Sequence, residues 1–420
     1  MRSALRVLAA LAIALQPVGA WARASLDGLL EPVRLRHGLP ALAAAVVVRG
    51  EVVAAGAVGL RRVDAATPVT LQDRFHLGSC TKAMTALLAA IAVERGLLRW
   101  DSTLAELFPG LRATMRPAMA GVTVRQLLSH SSGIGDDALA AALQQIGENG
   151  KANLDGLRLE MVKIFVRQPL QSPPGTRFLY GNANTILVGA ALERLQGRTW
   201  EELIQEQIFQ PLALAGAGLG PQSTPGLTDA PLGHRRVQDT LLPMLAGPNG
   251  DNLPVIGPAG TVHMGLLGAA RWLGWTAGEG RRGPELVSPE SQRLLHTPVI
   301  VTDPNRPEDG SYALGWGVVK PAWASGPWLM HAGSNTMNLA QFWVDPRRDV
   351  AVVLLTNTAG PQAEQALRTL APLLVEKAGL PPGDARGDRP PARQGVRPKE
   401  PQRSRLLPMH NPLNAAAERW

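Results

Sequence analysis

Two residues at the start of a long apolar run could form a nucleophile and its base. Ser79 and Lys82 stand three positions apart in SCTKAMTALLAAIA (79–92), and residues at this spacing on a helix lie on one face. A serine hydroxyl attacks a carbonyl group only when another group accepts its proton. A lysine can accept it if burial lowers the lysine pKa, and residues 83–93 contain no charged side chain. The spacing is therefore compatible with a serine nucleophile that is activated by a lysine base.

The use of lysine at this position supports that interpretation. The chain has six lysines and 36 arginines, and only Lys82 has a serine three residues before it. Arginine stays protonated in proteins, so it could not take the place of a lysine base. The pattern alone leaves a second interpretation open, in which Lys82 is a buried cation that meets a carboxylate.

A second candidate segment contains one of the two tyrosines of the chain. Tyr180 and Asn182 belong to FLYGNAN (178–184), which follows the turn SPPGT and precedes a predicted helix. Site residues concentrate on loops of this kind. A phenol beside a lysine can relay a proton, and an asparagine amide can hold a substrate carbonyl. Taken alone, a tyrosine on a loop is more often a packing residue.

The third candidate segment is HAGSN (331–335). His331 lies in a predicted strand that is followed by a hairpin, and Gly333 would let a substrate approach the backbone. The next N–H group could then stabilise an oxyanion. His76 and His263 fit the same His-x-Gly pattern, and we interpret both as structural.

In this order, the three motifs resemble those of serine β-lactamases and penicillin-binding proteins. The chain is identified as a member of the class C-like branch of that superfamily, which includes class C β-lactamases, D-alanyl-D-alanine carboxypeptidases, D-aminopeptidases and related esterases. The resemblance covers roughly residues 30–380. Further blocks that agree are ERGLLRWDSTLAELFPGL (94–111), VRQLLSHSSGIGD (124–136), GPAGTVHMG (257–265), YALGWGV (312–318) and DPRRDVAVVLLTN (345–357).

The resemblance implies a role for each residue of the first two motifs. Ser79 would be the acylated nucleophile. Lys82 and Tyr180 would share proton transfer from the serine and to the leaving group. Asn182 would contact the substrate amide. No metal and no cofactor is expected.

The third motif would supply the opposite side of the site. The resemblance implies that the backbone N–H groups of Ser79 and Ser334 form the oxyanion hole. Substrate would lie along the strand that carries His331 and Gly333, with Asn335 a weaker candidate contact.

The third motif also departs from the family pattern, because many members have Lys-Thr-Gly where this chain has His-Ala-Gly. Lysine is a cation at pH 7 and suits the carboxylate of penicillins, whereas histidine has an ordinary pKa near 6.5. This weakens the expectation of efficient β-lactam hydrolysis. The expected substrate is a lactam, a peptidoglycan-type D-amino-acid peptide or an ester. The alternatives are a carboxylesterase or D-amino-acid peptidase without β-lactam activity, and a non-catalytic binding protein.

The elements that must position these residues are strands near both ends of the chain and helices between them. A hairpin is predicted at 41–62 and further strands at 326–334 and 339–357, because β-branched and small apolar runs flank turn residues there. Helices are predicted at 26–40, 79–96, 123–134, 183–197 and 361–379.

This order predicts an α/β (α+β) fold of the β-lactamase/transpeptidase-like type. An antiparallel sheet would be built from both chain ends, about 30–75 and 310–380, with flanking helices. A large, mostly helical insertion would span about 79–300. The whole hydrolase domain would cover 23–380.

The N-terminal residues have the features of a secretory signal peptide. An arginine-containing start precedes the apolar stretch VLAALAIAL (7–15), and AWA (20–22) resembles a small-x-small cleavage site. We expect residues 1–22 to be removed and the protein to be periplasmic or secreted. An uncleaved anchor is the alternative, but nine apolar residues are too few to span a bilayer, so no stable membrane anchor is expected.

Charge and cysteine content exclude other classes of protein. The net charge is +8, but residues 1–22 contribute +2 and the Pro/Arg-rich tail 381–420, which we expect to be disordered, contributes +4. Residues 23–380 therefore carry only +2, so no nucleic-acid partner is expected. Cys80 is the only cysteine, which rules out an internal disulfide and disfavours a cysteine metal site. We interpret it as a buried packing residue.

Overall fold

The computed structural model describes residues 24–149, 154–247, 250–377 and 379. The predicted signal peptide and the tail 381–420 lie outside the described residues. Within the described part of the chain, no helix is both long enough and apolar enough to cross a membrane.

Strands at both ends of the described chain join in one sheet. The strands are β1 (Ala24–Ser25), β2 (Ala41–Val48), β3 (Glu51–Gly59), β4 (Arg74–His76), β5 (Gly218–Leu219), β6 (Gly233–Val237), β7 (Thr240–Met244), β8 (Val262–Gly265), β9 (Ile300–Val301), β10 (Ser311–Tyr312), β11 (Gly317–Val319), β12 (Trp328–Ser334), β13 (Leu339–Asp345) and β14 (Val350–Thr356). Nine of these described strands form the main sheet, in the order β1-β3-β2-β14-β13-β12-β11-β10-β9. The N-terminal hairpin therefore pairs directly with the last strand.

Helices cover the sheet and fill the segment between its two halves. They are α1 (Asp27–Arg36), α2 (Thr81–Glu94), α3 (Leu104–Leu107), α4 (Pro117–Ala120), α5 (Val124–Leu128), α6 (Asp137–Asn149), α7 (Leu154–Phe165), α8 (Asn182–Gln196), α9 (Trp200–Ile204), α10 (Gly257–Gly260), α11 (Leu266–Ala277), α12 (Pro289–His296) and α13 (Pro361–Lys377). The predicted sheet from both chain ends, with a mostly helical segment between them, is confirmed.

The β2–β3 hairpin forms where the sequence predicts it. Arg49 and Gly50 have φ angles of 52° and 81°, the left-handed pair that a two-residue hairpin turn requires. β2 then pairs with β14 in antiparallel register, with Ala44 opposite Leu354. The strand that precedes the hairpin turn therefore lies inside the sheet, and backbone hydrogen bonds join the two ends of the domain.

The strands β2 and β14 are almost entirely apolar because both faces of the sheet are covered there. Along β14, Ala351, Val353 and Leu355 face the core shared with the helical segment, and the alternate residues face a second core. This alternation has the period of two expected of a strand. The second core packs against α1 and α13, so helices lie on both sides of the sheet.

Three local features differ from the prediction. The helix expected over 123–134 ends at Leu128, since His130 has a left-handed φ of 54°. β1 pairs with β3 in parallel, unlike the rest of the main sheet. The predicted helical segment also contains two small sheets, β4-β8-β5 and β6-β7. Their strands have two to five residues, which is too short for a readable apolar alternation.

Candidate active site

Ser79 and Lys82 are in direct contact at the start of α2. Ser79 belongs to the 3-10 turn Gly78–Cys80 that leads into the helix, and Lys82 lies in the first turn of the helix. The Lys82 Nζ atom is 2.9 Å from Ser79 Oγ. The lysine is only 1% exposed, because α2 packs against α8 and α10.

Two further contacts orient the Lys82 amine. Nζ donates hydrogen bonds to Asn182 Oδ1 and to the carbonyl oxygen of Ala259, each at 2.8 Å. Both partners can only accept, so a neutral amine that donates to them directs its lone pair at the Ser79 hydroxyl. Burial lowers the pKa of Lys82 to about 7, and the nearby charge of Asp136 opposes this shift. Near neutral pH the amine is therefore able to accept the serine proton.

Asp136 is a part of the site that the sequence analysis did not identify. Its Oδ1 accepts the backbone N–H of Asn182 at 2.7 Å, and its Oδ2 accepts the Asn182 side-chain amide at 3.4 Å. Burial raises the pKa of Asp136. The carboxylate is linked to Lys82 through Asn182, and no ion pair joins it to the lysine within the described residues. The contacts of Lys82 therefore favour a base next to a serine over a buried cation that meets a carboxylate. In the sequence, nothing distinguishes Asp136 in the block VRQLLSHSSGIGD from the other aspartates.

Tyr180 lies next to this pair in an aromatic cluster. Its ring centroid is 5.0 Å from Lys82 Nζ and 4.4 Å from the ring of His130. Burial raises the pKa of the Tyr180 phenol, and the adjacent Ser79 hydroxyl only partly offsets this. The phenol is therefore protonated at neutral pH. Its oxygen is buried and makes no hydrogen bond of ordinary length and angle within the described residues.

His331 is fully buried and already has partners for both ring nitrogens. Nε2 lies 2.9 Å from the hydroxyl of Tyr312, and Nδ1 lies 2.9 Å from the carbonyl oxygen of Ala332. The carbonyl can only accept, so Nδ1 carries the proton and Nε2 accepts from the phenol. Burial, together with the charge of Lys82, lowers the pKa of His331 to about 3. The third motif therefore presents a neutral imidazole.

The backbone of β12 packs directly against the turn that carries Ser79. A methyl group on Gly333 would lie 2.5 Å from the Ser79 nitrogen and 2.0 Å from the carbonyl oxygen of Leu77. A methyl group on Gly78 would lie 2.4 Å from the Ser334 nitrogen. Glycine is required at both positions for this close approach. The two segments predicted to supply the oxyanion N–H groups are thus neighbours.

The side chains of Ser334 and Asn335 are held by the protein itself. Ser334 Oγ accepts the backbone N–H of Thr336 at 2.9 Å. Asn335 is 2% exposed, and its amide donates to Asp251 Oδ1 at 3.0 Å. The predicted substrate contact of Asn335 stays a prediction, and the structure shows this side chain pointing toward Asp251.

The contacts of Cys80 and of the Ser129–His130 pair indicate structural roles. Cys80 is fully buried with Sγ 3.6 Å from the carbonyl oxygen of His331, and burial raises the pKa of its thiol. His130 Nδ1 accepts the Gly181 N–H at 3.4 Å, whereas Ser129 Oγ contacts another serine hydroxyl at 2.9 Å. The two adjacent residues therefore do not form a catalytic pair.

Within the part of the chain that the structure describes, no group of three or more His, Cys, Asp or Glu side chains is arranged to hold a metal ion.

Known proteins resemble this chain both in fold and in sequence. The structure of an octameric penicillin-binding protein homologue from Pyrococcus abyssi superposes with a TM-score of 0.69 at 24% identity, over 85% of this chain and 77% of that one. Penicillin-binding protein 4 of Amycolatopsis lactamdurans is 28% identical over 194 residues, 44% of this chain and 46% of that protein. The lovastatin esterase of Penicillium rubens is 30% identical over 171 residues, 37% of this chain and 41% of that protein.

The two sequence alignments cover only part of each relative. The chain spans less than half the length of both of these curated relatives, 46% and 41%. A model of the beta-lactamase family, by contrast, matches residues 21–376 and so includes all the site residues described above. The chain therefore belongs to the beta-lactamase family.

Proposed function

We propose that the protein is an exported serine hydrolase of the class C-like branch, which forms an acyl-enzyme on Ser79. The observation that carries the proposal is the contact of 2.9 Å between Lys82 Nζ and Ser79 Oγ, made by an amine whose pKa burial lowers to about 7. Such a lysine is a base at neutral pH, and the serine it faces is a nucleophile. The presence of Tyr180 beside them argues against a non-catalytic binding protein.

The first half of the reaction follows from these positions. Ser79 Oγ attacks the substrate carbonyl carbon while its proton moves to Lys82 Nζ. The N–H groups of Ser79 and Ser334 donate to the oxygen that becomes negatively charged. When the tetrahedral intermediate collapses, the bond to the leaving group breaks, and the leaving group takes up a proton by way of Lys82 or the Tyr180 phenol.

The second half regenerates the serine. Water attacks the acyl carbon, its proton passes to the same base, and the bond between the acyl carbon and Ser79 Oγ breaks. The acid product leaves, and Ser79 recovers its proton. Because Lys82 is held by Asn182 and Ala259, it is in place for both steps.

The neutral third motif favours neutral ester or amide substrates over penicillins. A penicillin carries a carboxylate, and burial of a carboxylate without a cation is costly. His331 has no proton to give on Nε2 and a pKa lowered to about 3, so it supplies no such cation. A carboxylesterase is therefore our preferred function. A D-amino-acid amidohydrolase remains the second candidate, because a main-chain oxyanion site on a strand edge also suits a peptide.

One experiment tests whether an acyl-enzyme forms on Ser79. The purified protein is incubated with a fluorophosphonate and with a fluorescent penicillin, beside a Ser79→Ala variant, and turnover of p-nitrophenyl esters, nitrocefin and D-Ala-D-Ala peptides is followed. We expect ester turnover and covalent labelling that both disappear in Ser79→Ala. Neither labelling nor turnover of any substrate by the wild-type protein would refute the enzyme proposal.

A matched pair of substrates tests the preference for neutral esters. p-Nitrophenyl butyrate and mono-p-nitrophenyl succinate share a leaving group and differ in a terminal carboxylate. We expect the neutral ester to have a kcat/KM at least ~10-fold higher. An equal or higher value for the succinate would contradict the proposed specificity.

Export is tested separately on the protein made in a bacterial host with its own leader. We expect intact-mass analysis of the extracytoplasmic fraction to find a chain that begins at Arg23. A full-length chain confined to the cytoplasm would contradict it.

A further inference from the structure

A buried carboxylate contacts both segments of the predicted oxyanion hole. Asp251 Oδ1 lies 2.8 Å from His76 Nε2 and 3.0 Å from Asn335 Nδ2. The side chains of Asp251 and His76 are 4% and 0% exposed, and Asn335 is 2% exposed. One residue pair therefore links the turn before Ser79 to the end of β12.

His76 connects the carboxylate to the turn that carries the nucleophile. Its Nδ1 accepts the backbone N–H of Gly78 at 3.1 Å, so Nδ1 carries no proton, and Nε2 lies 2.8 Å from Asp251 Oδ1. Gly78 has a left-handed φ of 50°, and the next N–H group is that of Ser79. The imidazole thus fixes the peptide immediately before the predicted oxyanion donor.

Asn335 connects the same carboxylate to the strand. It follows Ser334 directly, and its Oδ1 accepts the N–H of Met337 at 3.3 Å and the Asn338 side-chain amide at 3.0 Å. The asparagine is therefore held from both ends, by Asp251 on one side and by the β12–β13 connection on the other.

The Asp251 carboxyl group is negatively charged near neutral pH, as its two contacts require. Burial by itself would raise the pKa of Asp251, but the contacts with His76 and Asn335 outweigh burial, and the pKa is lowered. An ionised carboxylate accepts stronger hydrogen bonds than a neutral acid does. It can therefore hold a histidine and an asparagine at once.

We propose that Asp251 and His76 are positioning residues, which hold the Ser79 and Ser334 N–H groups at the separation that a developing oxyanion needs. The inference rests on the proposed function, because it concerns the same acyl transfer. Neither side chain contacts the reacting atoms. Their effect is transmitted through Gly78 on one side and Asn335 on the other.

A thionoester measures the fit of an oxyanion hole. Sulfur is larger than oxygen, so a hole sized for oxygen discriminates against the C=S group, and a loosened hole discriminates less. The ratio of kcat/KM for p-nitrophenyl acetate and for its thiono analogue does not depend on the folded fraction of a preparation. It therefore separates loss of positioning from loss of stability.

We expect Asp251→Ala and His76→Ala to lower kcat for the ester by ~10²-fold with KM changed less than about threefold, as for loss of an oxyanion donor. The ester-to-thionoester ratio should fall by ~10-fold. His76→Asn keeps an acceptor at the place of Nδ1, so it should recover part of both losses. If Asp251→Ala does not fold, the two His76 variants by themselves test the proposal.

The control is His263→Asn, on the strand residue directly paired with His76. His263 contacts the carbonyl oxygen of Gly220 at 2.9 Å, so this variant should keep the wild-type ratio. An unchanged ratio in Asp251→Ala and in both His76 variants, with an active wild type, would overturn the positioning role alone. An inactive wild-type protein would instead overturn the proposed function.

Discussion

The two sides of the candidate site differ in how their polar side chains are used. On the nucleophile side, formed by Ser79, Lys82 and Tyr180, a lysine with a lowered pKa faces a serine, and the phenol oxygen has no regular hydrogen bond within the described residues. On the strand side, residues 331–335, every polar side chain has a partner in the protein. The nucleophile side is arranged to transfer protons, whereas the side chains of the strand side are fixed by hydrogen bonds within the protein.

This difference separates the residues that would transfer protons from those that would bind the substrate. Proton transfer needs a group whose pKa lies near the working pH, and burial brings the pKa of Lys82 to about 7. The strand side instead offers main-chain groups next to a neutral His331. Changes on the nucleophile side should therefore act on the rate and its pH dependence, and side-chain changes on the strand side should act weakly.

The largest effect is expected for Lys82→Arg. Arginine remains a cation, so kcat/KM should fall by ~10³-fold or more. In the wild type, kcat/KM should rise as pH increases through about 7, because Lys82 loses its proton there, and the variant should lack this rise. Lys163→Arg, on a half-exposed lysine paired with Glu160, is the control. Near wild-type activity of Lys82→Arg would exclude the lysine as base.

The two tyrosines provide the next comparison. Tyr180→Phe should lower kcat by ~10²-fold, since it removes the hydroxyl beside Ser79 and keeps the ring. Tyr312→Phe removes only the donor to His331 and should cost less than ~10-fold. Steady-state kinetics on one ester measures both. Equal losses would mean that the strand side takes part in the chemistry.

A smaller effect, on pH dependence, is expected for Asp136→Asn. The Asp136 charge raises the pKa of Lys82 against the effect of burial, so its removal should move the acid limb of kcat/KM to lower pH. The rate at the optimum should change by less than ~10-fold, because asparagine can still accept the Asn182 N–H. Asp137→Asn, on the exposed neighbour, should leave the limb in place. A limb that stays in place in both variants, or moves to higher pH in Asp136→Asn, would contradict the coupling.

The smallest effect is expected for Ser334→Ala. Its hydroxyl accepts the Thr336 N–H, and the proposed contribution to catalysis comes from the backbone. kcat and KM for an ester should each stay within about threefold of wild type, whereas a loss of ~10²-fold would show that the side chain itself takes part.

The site was predictable where chemistry depends on residue identity. Ser79, Lys82 and Tyr180 could be found because few residue types act as nucleophile, base and proton relay. The carbonyl oxygen of Ala259 could not be found, since every residue has one and only the fold places this one 2.8 Å from the amine. Asp251 was missed for a related reason, because its partners lie 84 residues or more away in sequence.

The fold was predictable where both faces of a strand are buried. Apolar runs identified β2, β13 and β14, whose residues are nearly all buried, and the Arg49-Gly50 turn placed β3 as the second strand of the hairpin. Side-chain orientation was not predictable in the same way. His331 was correctly placed in a strand, but its burial against Tyr312 depends on a neighbouring strand pairing that the local sequence does not encode.

The order of strands in the sheet makes this protein a candidate for division into two complementary fragments. Residues 305–308 are exposed and connect β9 to β10. A cut there leaves Ser79, Lys82 and Tyr180 on one fragment and residues 331–335 on the other. Neither piece holds a whole site, and the backbone bonds between β2 and β14 would have to form between the fragments. We expect ester hydrolysis to appear only on reassembly, so the divided chain would report the proximity of any two proteins fused to it.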